Sequence, residues 1–138
     1  MHIEHAALER PPVILSEAEA DTLYELAWAA RGTSQMSAAL LLEELARAEV
    51  CDRASLPADV VTMHSEVVFR DEDSGEEHRV TLVYPREADM EAGRLSVLTP
   101  VGAALIGLRR GSAIDWPNRL GATRRFRIVE VIQPGPDA

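Results

Sequence analysis

With 138 residues, 46% of them hydrophobic, the chain carries enough apolar side chain for one folded core plus a small appendage, which excludes wholesale disorder. A single cysteine, Cys51, excludes a disulfide framework and a four-cysteine zinc site, and no apolar run approaches the roughly 18 residues of a membrane span, so a soluble, cytoplasmic protein is expected. A formal charge of −9, with arginine supplying all 14 basic residues, argues against indiscriminate, charge-driven binding to nucleic acid.

The first fifteen residues read as an extended arm, because Pro11-Pro12 disfavours helix and Val13-Ile14-Leu15 suits a short strand. Ser16-Glu17-Ala18-Glu19 has the form of a capping box, in which Ser16 accepts an orphan backbone N–H and Glu19 reaches back to Ser16. Leu23, Leu26, Ala27 and Ala30 follow at helical spacing and Gly32 stands at a helix end, which predicts a helix over 17–31. Thr33 to Ser37 form a polar turn, with Ser34 or Ser37 capping a second helix that runs to about Val50. A short polar link between two amphipathic helices predicts an antiparallel hairpin, packed on itself and the core or else standing off as a probe.

Beyond 55–59 the pattern changes. Val60–Met63 and Glu66–Arg70 read as extended, Asp71–Glu76 as a charged turn, and His78–Tyr84 as the returning strand of a hairpin. Arg94–Leu98 predicts a third strand. Thr99-Pro100 then opens a short helix over 101–108, closed by Gly111, and two strands over 112–116 and 123–133 complete an α+β chain with an antiparallel sheet.

Charge is unevenly placed. Residues 1–54 and 66–91 each balance at −6, whereas 109–127 hold six arginines against Asp115 alone. Either strand faces meet solvent there, or a basic face docks an acidic partner. The candidate chemistry is thin. His2, His5, His64 and His78 lack a paired ligand pattern, the acids at 71–77 do not follow the calcium-loop order, and Ser96 and Ser112 sit in no nucleophile motif. No metal site, cofactor site or enzyme emerges from the residues.

One ordered run is informative. Val83-Tyr84-Pro85, Glu87-Ala88-Asp89 and the stretch from Arg94 to Gly107, read with Asp59-Val60-Val61-Thr62-Met63, resemble the C-terminal domain of the bacterial Gre transcript-cleavage factors. They resemble more nearly the family of their smaller relatives, the regulators of nucleoside diphosphate kinase. The chain divides into an N-terminal arm and helical hairpin over 1–54, a second domain over 55–133 and a tail over 134–138. The resemblance, over about 13–133, implies that the hairpin is an antiparallel coiled coil and the second domain FKBP-like. It implies a cytoplasmic, monomeric, non-catalytic regulator that docks at the secondary-channel rim of RNA polymerase through Asp89, Ser96, Pro100, Val101 and Gly102. The tip residues would be Thr33, Ser34, Gln35 and Met36, where Gre factors carry magnesium-holding acids. This tip has none, so transcript cleavage is not expected. Trp116 and Arg119 depart from the Gre pattern and are weaker interaction candidates. An adaptor acting on nucleoside diphosphate kinase and an FKBP-like prolyl isomerase remain as alternatives; the second would need an aromatic-lined pocket.

Overall fold

The computed structural model describes residues 11–117 and 123–135. Its first strand, β1 (Ile14–Ser16), leads directly into helix α1 (Glu17–Ala29), and a 3-10 turn (Ala30–Gly32) connects to helix α2 (Gln35–Ala46). The Ser16 hydroxyl accepts from the Glu19 N–H at 3.2 Å, as the capping pattern predicts. Glu19 departs from that pattern. Its Oε2 accepts from the Met63 N–H at 3.3 Å, so the side chain ties α1 to the following domain instead of closing its own cap.

Helix α2 is shorter than its apolar spacing suggests. At Glu49 the chain becomes strand β2 (Glu49–Cys51), parallel to β1 and in register Ile14 to Glu49, with the Glu49 N–H donating to the Val13 carbonyl at 2.7 Å. A backbone partner for these N–H groups wins over continued helix. The pairing returns the end of α2 to the start of α1, as two helices of 12–13 residues running in opposite directions would. Leu23, Ala27, Ala38 and Leu41 are fully buried between the elements, and each leucine is worth about 2 kcal/mol of apolar burial.

The second part of the chain is a five-stranded sheet. Strands β3 (Glu66–Asp71), β4 (Glu77–Val83), β5 (Arg94–Ser96), β6 (Ala113–Pro117) and β7 (Thr123–Ile132) lie in the order β5-β4-β3-β7-β6. The β3–β4 hairpin matches the sequence expectation, with Val67 opposite Val80. The sheet is mixed, however, and not purely antiparallel: β5 runs parallel to β4. Two 3-10 turns, Pro85–Glu87 and Met90–Ala92, carry the chain back along the sheet edge so that it re-enters in the same direction.

Val60–Met63 is not part of the sheet. Val60 forms a lone bridge to Arg109, and 62–65 is a turn in which the Thr62 N–H donates to Ser65 Oγ. Helix α3 (Pro100–Leu105) is capped by Thr99, whose hydroxyl accepts from the Gly102 N–H at 3.0 Å. It ends before Gly107, which at φ 78° takes the left-handed position that the sequence assigns to Gly111. Gly107 also touches the arm. Its carbonyl accepts from the Ile14 N–H at 2.9 Å, and an added Cβ would stand 2.5 Å from Val13 Cγ1. One apolar cluster spans both parts, joining Val13, Leu15, Leu23 and Leu41 with Val67, Leu82, Leu105 and Ile128. Among the described residues no helix is long and apolar enough to cross a membrane.

Gly102 sits where α3 meets the end of β5, and a Cβ there would lie 2.2 Å from the Ser96 carbonyl oxygen and 2.8 Å from Val97 Cα. Both are backbone atoms with little room to move. Gly102→Ala is expected to cost about 2–3 kcal/mol of folding stability, read from urea unfolding curves.

Candidate functional site

The turn between the helices is exposed at Thr33, Gln35 and Met36 and half-buried at Ser34, and it presents hydroxyl, amide and thioether groups only. The nearest acids on α2 stand about two turns away. One of them, Glu44, is buried and ion-paired to Arg47 at 2.9 Å, which fixes it against its own helix. The tip therefore has no carboxylate to offer a hard cation. No group of three or more His, Cys, Asp or Glu side chains suited to a metal occurs among the described residues.

The five predicted docking residues separate by burial. Asp89 is exposed; its backbone exchanges two hydrogen bonds with Arg94, at 3.0 and 2.9 Å, to close the 90–93 turn, while its carboxylate caps nothing. Pro100 is exposed and Val101 half-buried at the start of α3. Ser96 and Gly102 are buried: the Ser96 hydroxyl accepts from the Leu98 N–H, and Gly102 packs against the β5 backbone. These two shape the surface that the other three present. Arg119 lies outside the described residues, and Trp116 is placed only as a member of β6.

Among the described residues, ion pairs hold three of the six arginines of the 109–127 segment. Arg109 pairs with Asp59 at 3.1 Å, Arg125 with Asp115 at 2.9 Å and Arg127 with Glu72 at 2.6 Å. Asp59 and Glu72 reach their arginines from turns 50 and 55 residues away, and Asp115 reaches Arg125 from the neighbouring strand β6.

Sequence reasoning missed a polar cluster where α1 meets the sheet. Glu87 Oε1 lies 2.9 Å from His64 Nε2 and also accepts from the Tyr84 N–H at 3.2 Å. The Tyr84 ring meets His64 edge-on, with centroids 5.7 Å apart. His64 has a left-handed backbone, φ 68°, which is strained for a residue with a side chain. Beside them a pocket of about 220 Å³ is lined by Glu19, Arg53, Thr62, His64 and Gln133 among others. Hydrogen bonding to His64 holds the Glu87 carboxyl below its usual range. Burial pushes Glu19 the other way, against the opposing pull of the Met63 N–H, Arg53 and His64, and its Oε1 is buried without a hydrogen-bond partner among the described residues. Glu19 was visible as a capping residue, but its target 44 residues on was not, and a left-handed histidine leaves no mark in the sequence.

Because the folded state holds the Glu19 proton more tightly than the unfolded chain, this group's contribution to stability is complete below the ordinary value of 4.5 and is lost as pH rises through the elevated folded value. Glu19→Gln imitates the protonated form. The stability of wild type minus that of the variant should therefore fall as pH rises above 4.5; thermal melts across pH that run parallel would remove this role.

Comparison with known proteins adds a family. Residues 56–133 match the model of the family described as transcription elongation factor, GreA/GreB, C-terminal. A regulator of nucleoside diphosphate kinase from Escherichia coli K12 is 37% identical over 124 residues, covering 90% of this chain and 91% of that protein. A transcription elongation factor GreA from Azorhizobium caulinodans is 38% identical over 132 residues, covering 90% and 83%. Among solved structures, a prokaryotic GreA/GreB factor from Nitrosomonas europaea is 43% identical with a TM-score of 0.72, over 88% of this chain and 99% of that one.

Proposed function

Since the chain belongs to the GreA/GreB family of transcription elongation factors, we propose that it binds RNA polymerase at the rim of its secondary channel and regulates transcription without stimulating transcript cleavage. The observation that carries the reading is an exposed helical turn free of carboxylates, joined to a domain that matches the family over 56–133. A Gre-type cleavage reaction needs an oxygen-ligated magnesium ion near the polymerase centre, and Thr33, Ser34, Gln35 and Met36 bring no charged oxygen. A factor with this tip can occupy the channel, and exclude longer-armed factors from it, but has no carboxylate ligand to add.

Docking falls to the exposed surface of Asp89, Pro100 and Val101, whose shape Ser96 and Gly102 maintain from beneath. The name of the E. coli relative supports a link to nucleoside diphosphate kinase, which in this reading is indirect, through transcription. A prolyl isomerase draws no support from the pocket described above, whose lining includes Glu19, Arg53 and His64 and no Phe, Tyr or Trp.

Titration of core RNA polymerase with the purified chain tests the reading, together with cleavage assays on arrested elongation complexes. Binding in the micromolar range or tighter, no acceleration of cleavage, and affinity about tenfold weaker for Asp89→Ala are expected. Absence of binding, or a clear cleavage burst, would overturn it.

A further inference from the structure

Helix α1 turns two aromatic rings toward solvent. Tyr24 and Trp28 lie one helical turn apart and are 53% and 50% exposed. Their rings are stacked, with centroids 6.2 Å apart and planes inclined by 10°. Arg31 completes the arrangement: its Nε donates to the Trp28 carbonyl at 3.0 Å, and its guanidinium carbon lies 3.4 Å from the Trp28 ring centroid. The chain has six aromatic residues in all, so a third of them stand on one water-facing stripe.

A single exposed aromatic residue is unremarked on any surface. Two stacked rings clamped by a cation differ, because their rotamers are already restricted and little further entropy is lost when a partner covers them. Trp, Tyr and Arg are also the side chains that most often dominate binding energy at protein interfaces. The charge around the stripe narrows the partner. Glu17, Asp21 and Glu25 are exposed on the same helix, and residues 11–54 hold eight acids against three arginines. A second copy of this chain, at −9, is repelled by such a surface, and so is a nucleic acid. A basic protein surface is attracted.

We propose that this face of α1 is a docking surface for a positively charged protein groove. Trp28 is the buried anchor, Tyr24 and Arg31 hold its orientation, and Glu17, Asp21 and Glu25 oppose basic side chains of the partner. The assignment deepens the polymerase reading and rests on it for the identity of the groove; its residues are separate from Asp89, Pro100 and Val101.

Affinity for core RNA polymerase is measured for wild type, Trp28→Ala and the double variant Asp21→Asn/Glu25→Gln, with thermal melting of each. Trp28→Ala is expected to bind tenfold or more weakly while melting within about 2 °C of wild type. The double variant changes only exposed side chains and decides independently of Trp28: it should bind about tenfold more weakly at low salt and converge on wild type at high salt. Wild-type binding with both variants within twofold of it overturns this assignment alone and leaves the polymerase reading intact. Absence of wild-type binding overturns both. Quenching of tryptophan fluorescence by single-stranded oligonucleotide that is lost in Trp28→Ala, or a concentration-dependent dimer abolished by Trp28→Ala, also overturns the assignment, since the occupant would then be nucleic acid or a second copy.

Discussion

Four residues of extended chain, Val13 and the strand β1 that follows it, tie the two parts of the molecule together. The segment is hydrogen-bonded on one side to β2 through the Val13 carbonyl and the Glu49 N–H, and on the other to Gly107 through the Ile14 N–H. Val13 and Leu15 are 1% exposed, so the segment fills the core as well as satisfying two sets of backbone groups. Without it the end of α2 would have no strand to return to, and only the packing of α2 on α3 would hold the helical pair to that side of the sheet domain. Burial and backbone hydrogen bonding act together here, because a buried extended segment must satisfy its N–H and C=O groups somewhere. The Glu19 contact with the Met63 N–H adds a second tie across the same seam.

Much of this was legible from residue patterns, and the exceptions share a cause. Ser16, Thr99 and the β3–β4 hairpin follow from local chemistry: a side-chain oxygen three residues before an orphan N–H, or a charged turn between β-branched runs. The parallel β1–β2 pair, the parallel entry of β5 and the early end of α2 depend on partners tens of residues away, which a local period cannot reveal. At the candidate site the carboxylate-free tip could be read directly from Gly32 to Ser37, as could the run containing Asp89 and Pro100. The burial of Ser96 and Gly102 could not, because their neighbours are set by the packing of α3 on β5. The His64–Tyr84–Glu87 cluster needed a turn to bring residues 20 or more positions apart into contact.

The net charge takes on a different meaning once the fold is known. Three arginines of 109–127 do not stand alone: Asp59 and Glu72 come from separate turns to meet Arg109 and Arg127, and Asp115 meets Arg125 from the paired strand β6. Each pair is exposed and contributes little to stability individually. Their collective effect is to offset part of the positive charge of that strip. The acids of α1 have no such cluster of arginines within their own helix. The protein thus sets a partly neutralised sheet edge apart from an acidic, aromatic helix face.

Gly107 gives the last of these features a mechanical meaning. The arm passes so close that any side chain at this position would push Val13 aside. The helical pair is seated at two places, on the strand pair at its base and where α2 packs on α3. A shift of the arm at Gly107 would disturb the first of these and leave the second to hold the pair. Part of the seating of the helices on the sheet domain thus depends on the absence of a single carbon atom.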